Sequence, residues 1–156
     1  MSRSAVRSED APEYRATAAV TTVAPSAEPI RGPEHVAAAF WRVVKAGEMR
    51  EHFVAFYLTS RNVVSRCEIV SVGTLNASLV HPREVFAPAL EVRAASLILA
   101  HNHPSGDATP SEEDHAITRR LRECGTLLGI ELLDHVVTGT SPSVWVSLRE
   151  QKGGRW

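Results

Sequence analysis

Two spacings of apolar residues run along the chain and divide it into elements. Val36, Ala39, Phe40, Val43 and Val44 recur at intervals of three and four, which makes one apolar face of a helix. Gly32-Pro33-Glu34 reads as its start and Gly47 as its close. HFVAFYL (52–58) is short, apolar and aromatic, bounded by Thr59-Ser60-Arg61-Asn62, and predicts a buried strand. VVSRCEIVSVG predicts one or two more strands ended by Gly73. Pro82 suits a first helical position and opens PREVFAPALEVRAA, a helix in which Pro88 is expected to introduce a kink. SLILA (96–100) predicts a buried strand that stops at polar residues. A loop with Pro104, Gly106 and Pro110 leads into a long amphipathic helix from Ser111 to Leu128, and ELLDHVV and VWVSL supply the closing strands. The expected class is mixed α/β, a sheet flanked by helices. The stretch 1–32, rich in Ala, Ser, Thr and Pro without a sustained period, is expected to be a flexible tail, leaving residues 33–156 as one domain.

Composition narrows the function more by exclusion. With 156 residues, 44% of them hydrophobic and 22% charged, the chain can bury one core and is not disordered as a whole. No apolar run approaches the roughly 20 residues that cross a bilayer. A net charge of −1 argues against broad electrostatic binding to nucleic acid or acidic lipid. Cys67 and Cys124 are too few for a disulfide scaffold and form no CxxC pair, which excludes a thiolate zinc site. The absence of a signal-peptide pattern makes a cytoplasmic location the expectation.

Chemistry concentrates in His101-Asn102-His103-Pro104-Ser105-Gly106-Asp107-Ala108-Thr109-Pro110-Ser111-Glu112-Glu113-Asp114. It follows a predicted buried strand, where α/β folds place their sites. Side chains at i and i+2 of a strand end point the same way, so His101 and His103 can converge. Asp114, in the first turn of the next helix, can fold back to meet them. Two imidazoles and a carboxylate leave a fourth tetrahedral position open, as catalytic zinc sites do, and nitrogen donors suit zinc better than calcium or magnesium. Each piece also has a plain reading. HxH pairs arise by chance, and Ser111-x-x-Asp114 is a good helix cap that needs no metal. The same Ser and Asp can, however, cap the helix and still face the histidines.

The spacing H-x-H, seven residues, S, two residues, D resembles the JAMM signature of the MPN+/JAB metalloproteases. VGTLNASLVHPREVFAPAL, LILAHNHPSGDATPSEEDHAITRRL and GIELLDHVV resemble, more closely, the RadC-like JAB-domain proteins, over roughly Pro33 to Glu150. That resemblance implies a JAB/MPN-type domain of cytidine-deaminase-like architecture acting as a zinc-dependent metallopeptidase or isopeptidase on a peptide or isopeptide substrate. It implies that His101, His103 and Asp114 bind Zn2+ and that Ser111 steadies the oxyanion. It also implies an upstream glutamate as general base. Glu51 takes that place, with Glu48, Glu68 and Glu84 as alternatives, Glu84 the most serious because it lies in the family-like HPREVF segment.

The Asp134-His135 pair matches the family's DH pair and has two readings, an orienter of a ligand histidine or a buried pair holding the sheet. His81 and Arg83 are expected to cap and terminate the preceding strand rather than to line a substrate groove. His115, about 100° round the helix from Asp114, is expected at the surface. His35 and His52 are ordinary histidines, Trp41 and Trp145 core or core-edge residues, Trp156 a chain-end residue, and Asn102 and Ser105 order the loop.

Competing functions carry less support. Longer RadC-like proteins bear an N-terminal helix-hairpin-helix region with no counterpart expected here, so direct nucleic-acid binding rests on the family name alone. A deaminase needs H-x-E and P-C-x-x-C, and neither occurs. A metal-free scaffold is disfavoured by the intact ligand set. An exposed sheet edge offers a route to a homodimer.

Overall fold

The structure is a computed structural model that describes residues 27–45, 47–73 and 80–154. Most of the expected tail, and Trp156, lie outside the described residues. Within residues 27–32, Pro29 forms an isolated bridge with Val63, and the Ile30 N–H donates to the Asn62 carbonyl at 2.8 Å. The stretch just before residue 33 is therefore already tied to the body.

The elements follow in the order α1 (Pro33–Val43), β1 (His52–Leu58), β2 (Val64–Val72), α2 (Pro82–Glu91), β3 (Ser96–Asn102), α3 (Glu112–Leu128), β4 (Glu131–Thr138), β5 (Trp145–Ser147) and α4 (Leu148–Gln151). One five-stranded sheet runs in the order β2-β1-β3-β4-β5. Only the β3–β4 pair is parallel, joined through α3; the β1–β2, β1–β3 and β4–β5 pairs are antiparallel. The expected mixed sheet flanked by helices is what forms.

Strands β1 and β3 are buried at every position because helices cover both faces, which explains their unbroken apolar reading. On one face Phe53, Ala55 and Tyr57 pack with Leu97 and Leu99 beneath α2 and α3, which bring Phe86, Ile117 and Leu121. On the other, Val54, Phe56 and Leu58 pack with Ile98 and Ala100 against Val36, Phe40 and Val44 from the α1 segment. Trp41 and Trp145 border that second core.

VVSRCEIVSVG forms a single strand, β2, within the one or two expected, and absorbs two register shifts against β1. Two elements differ in extent from expectation. Strand β3 runs on through His101 and Asn102, so the polar residues belong to the strand they were expected to end. VWVSL divides, because the Ser147 hydroxyl accepts the Glu150 N–H at 3.0 Å and caps the short helix α4. Helix α2 continues through Pro88.

Candidate metal centre

Side-chain alternation along β3 sets the position of the centre. His101 shares the α3-facing side of the sheet with Leu97 and Leu99, stacks on Phe53 and is wholly buried. The His103 N–H then donates to the Thr138 carbonyl at 2.8 Å, which extends the parallel β3–β4 pairing one step into the loop. The loop closes when the Gly106 N–H meets the His103 carbonyl at 3.0 Å, with Gly106 in the left-handed region (φ 89°). Gly139 of the β4–β5 turn lets it lie this close: a Cβ there would sit 2.5 Å from the Gly106 oxygen.

The loop delivers the N-terminus of α3 over the histidines. Ser111 is the N-cap; its hydroxyl accepts the Asp114 N–H at 3.1 Å, and Asp114 Oδ2 accepts the Ser111 N–H at 2.8 Å, a reciprocal capping box. Both readings of this pair hold at once. Asp114 caps the helix and stands 3.1 Å from His101 Nε2 through Oδ1 and 3.2 Å from His103 Nε2 through Oδ2. The two Nε2 atoms lie 3.1 Å apart, and one donor atom from each residue falls within 4.8 Å of the others.

The remaining ring nitrogens fix the direction in which these donors face. His103 Nδ1 lies 2.8 Å from the Asp107 carbonyl, which can only accept, so this nitrogen carries the proton and Nε2 presents a lone pair. His101 Nδ1 lies 2.7 Å from His135 Nε2, and His135 Nδ1 lies 2.6 Å from Thr118 Oγ1. The Thr118 hydroxyl donates to the Asp114 carbonyl at 2.6 Å. Its oxygen therefore accepts from His135 Nδ1–H, His135 Nε2 accepts from His101 Nδ1–H, and His101 Nε2 is also left as a lone pair. Two lone pairs 3.1 Å apart beside a carboxylate repel unless a cation or a proton lies between them.

Charge at the site follows the same geometry. Burial alone would raise the Asp114 carboxyl, but the bonds to His101 and His103 outweigh it and hold it well below the usual carboxylate range. His103 is raised, first by its bond to Asp114 and further by the Asp107 carbonyl and the negative charge of Glu51. His135 is fully enclosed, and burial above all pushes it well below the usual histidine range, keeping it neutral.

The Asp134-His135 pair divides its two roles. His135 orients a candidate ligand, whereas Asp134 Oδ2 accepts from the Ser147 hydroxyl at 2.7 Å and its Oδ1 from the Arg149 N–H at 3.2 Å, holding the start of α4. Thr118 and the Asp107 carbonyl were not singled out by sequence reasoning. Thr118 lies four residues after Asp114, one helical turn, and that spacing was the available signal.

Among the glutamates, Glu51 is half-buried just ahead of β1, and its charge reaches His103. Glu48 is engaged by Arg50, whose Nε lies 3.1 Å from its Oε1. Glu68 pairs with Arg66 and stands opposite Ala55 in the sheet, well along β1 from its site end. Glu84, in the first turn of α2, lies 3.3 Å from Arg83 Nε. His81 is the α2 N-cap without a side-chain cap bond. Ser105 Oγ accepts the Asp107 N–H at 3.3 Å, and the Asn102 amide reaches across to β1. No helix among the described residues is long and apolar enough to cross a membrane.

A mixed five-stranded sheet with a His/His/Asp group at the end of its third strand defines an α/β domain with a candidate metal centre. The family model for the RadC-like JAB domain matches residues 30–153, and the chain belongs to that family. It is 57% identical over 102 residues to UPF0758 protein YsxA of Bacillus subtilis (strain 168), covering 65% of this chain and 43% of that protein. A UPF0758 protein of Geobacillus sp. (strain WCH70) is 55% identical over 102 residues, 65% of this chain and 44% of the relative. One from Bacillus cereus (strain B4264) is 48% identical over 122 residues, 78% and 53% respectively. The chain thus spans about half the length of the curated relatives it matches.

Proposed function

We propose that the chain is a zinc-dependent hydrolase of the JAMM type, a metallopeptidase or isopeptidase acting on a peptide or isopeptide substrate. The observation that carries this reading is the pair of Nε2 lone pairs 3.1 Å apart beside Asp114. Two ligands about 2.0–2.1 Å from one ion at a tetrahedral angle stand roughly 3.3–3.4 Å apart, and the donors are already close to that spacing. Imidazole with carboxylate is a donor set that suits zinc, and His103, part-exposed, leaves the group a side open to substrate.

His101, His103 and Asp114 would hold the zinc, which when bound would supply Lewis acidity for the scissile carbonyl and a water acidified to a pKa of about 7. The residues of the chain do the rest. His135 and the Asp107 carbonyl hold the two imidazoles in the ligating tautomer. Asp114 uses Oδ2 for the Ser111 N–H, which leaves Oδ1 as the ligating oxygen. Glu51 takes a proton from the attacking water and returns it to the leaving amine. The Ser111 oxygen accepts from the Asp114 N–H, so its own proton is available to the developing oxyanion, a contribution of about 2–4 kcal/mol.

The test combines metal analysis with a peptide-library screen. Protein purified without chelator is expected to hold about one zinc per chain and to cleave peptides until a chelator is added. Glu51→Gln is expected to keep the zinc and lose most turnover. Protein that takes up no zinc, or cleavage that ignores the chelator, refutes the reading. Normal turnover in Glu51→Gln beside an inert Glu84→Gln moves the base to Glu84.

A further inference from the structure

We infer that Asn102 is a positioning residue that sets where Glu51 stands relative to the His101/His103/Asp114 group; the inference rests on the function proposed above. The antiparallel β1–β3 register reaches the site at Phe53 opposite His101. Continued by one residue it sets His52 opposite Asn102, on the α1 side of the sheet; continued by two it sets Glu51 opposite His103, back on the α3 side. The pairing stops short of that point, and the Asn102 side chain takes over from it. Asn102 Oδ1 accepts the His52 N–H at 2.7 Å, and Asn102 Nδ2 donates to the Arg50 carbonyl at 3.0 Å. The two bonds grip the backbone on both sides of Glu51. Gly73 adds a third restraint, its N–H donating to the Glu51 carbonyl at 2.8 Å.

The chemistry of the amide suits this task. One donor and one acceptor on a short stem satisfy a carbonyl and an N–H that the sheet no longer pairs, which an ionised aspartate cannot do. Asn102 is 1% exposed, and its bond to the His52 N–H is shielded from water. It also sits in sequence between His101 and His103, so one short segment carries two candidate ligands and the clamp on the proposed base. Misplacing a reacting group by about 1 Å can cost about a hundredfold in rate, so losing the clamp should fall on kcat more than on KM.

The test uses the full chain loaded with cobalt(II), whose visible spectrum reports the coordination sphere. Wild type, Glu51→Gln, Asn102→Ala and Asn102→Asp are compared for metal content and for the pH midpoint of the spectral change. Asn102→Asp keeps the shape and the acceptor for the His52 N–H but loses the donor, and it serves if Asn102→Ala does not fold. Glu51→Gln is expected to move the midpoint down by on the order of one unit, because a carboxylate beside the open coordination position opposes a further negative charge. Asn102→Ala is expected to move the midpoint in the same direction, and both Asn102 variants are expected to keep one cobalt per chain and lower kcat by about a hundredfold at little-changed KM. A wild-type midpoint in Asn102→Ala, or a wild-type kcat in Asn102→Asp, with a moved midpoint in Glu51→Gln, overturns the clamp and leaves the proposed function standing. Loss of cobalt from the Asn102 variants also overturns it, since Asn102 then acts on the ligands. Failure of the wild type to bind cobalt brings down the clamp together with the function it rests on, whereas an unmoved midpoint in Glu51→Gln overturns the clamp and leaves the hydrolase reading with Glu84 as its base.

Discussion

The two halves of the candidate centre are held by different means. On the β3–α3–β4 side, each of His101, His103 and Asp114 has a second polar atom tied to the fold: to His135, to the Asp107 carbonyl, and to the Ser111 N–H. On the β1 side, Glu51 lies past the last β1–β3 pair, and the Asn102 amide bonds the backbone around it. The ligand half is therefore locked through its own side chains, whereas the half carrying the proposed base is held through its backbone at the end of the sheet. Such a division fits a site whose metal donors must be in place beforehand while its proton carrier has to move a proton between two partners.

The largest expected effect breaks the locked half. Asp114→Asn keeps an oxygen that can accept the Ser111 N–H, so the helix cap survives, but it removes the anion facing both histidines. Zinc affinity is expected to fall more than about a hundredfold, beyond what loss of an outer partner costs, while the metal-free chain melts at a lower temperature because the carboxylate's bonds to the histidines are weakened. Equal affinities in a competition titration would show that Asp114 is only a cap.

His135→Phe comes next. It fills the buried space but leaves His101 Nδ1 without its acceptor, and the expected loss is about 10–100-fold in zinc affinity. Unchanged affinity would return His135 to a purely structural role.

Acidity should weaken binding by a smaller and graded amount. In the metal-free chain His103 is raised, so the proton it shares with Asp114 stabilises the fold fully below the ordinary histidine value of 6.5. That contribution is lost as pH rises through the raised value. The same proton occupies the nitrogen a metal needs, so affinity should drop as pH falls through that range, by up to about tenfold per unit for each proton displaced. Calorimetry at pH 7 in buffers of different ionisation enthalpy should detect proton release on zinc uptake; none at all would contradict the geometry. The smallest effect is expected from Ser111→Ala, about 1 kcal/mol of stability from the lost cap with zinc retained, read by thermal melts and metal analysis.

Much of this centre was legible in local sequence because local rules build it. The HxH spacing, the strand before it and the Ser111-x-x-Asp114 cap each depend on neighbours within a few residues, and each formed where expected. His135 and Asp134 show where that legibility ends. As sequence neighbours they supported one shared role, yet alternation along β4 turns them to opposite faces: one against His101, the other toward Ser147 and the start of α4. Asn102 was legible only as a loop residue, because its partners Arg50 and His52 lie 52 and 50 residues away in sequence and meet it only through sheet pairing.

By itself the sequence determined the alternation of elements, the identity of the three candidate donor residues and the helix cap that carries one of them. Those follow from backbone periodicity and from hydrogen bonds that close over a few residues. The tertiary structure alone decided which ring nitrogen of each histidine faces the centre, which oxygen of Asp114 remains for an ion, and which distant backbone Asn102 holds. Each of those depends on contacts between strands and helices remote in sequence, and their register is set by how the two cores pack on the faces of a single sheet.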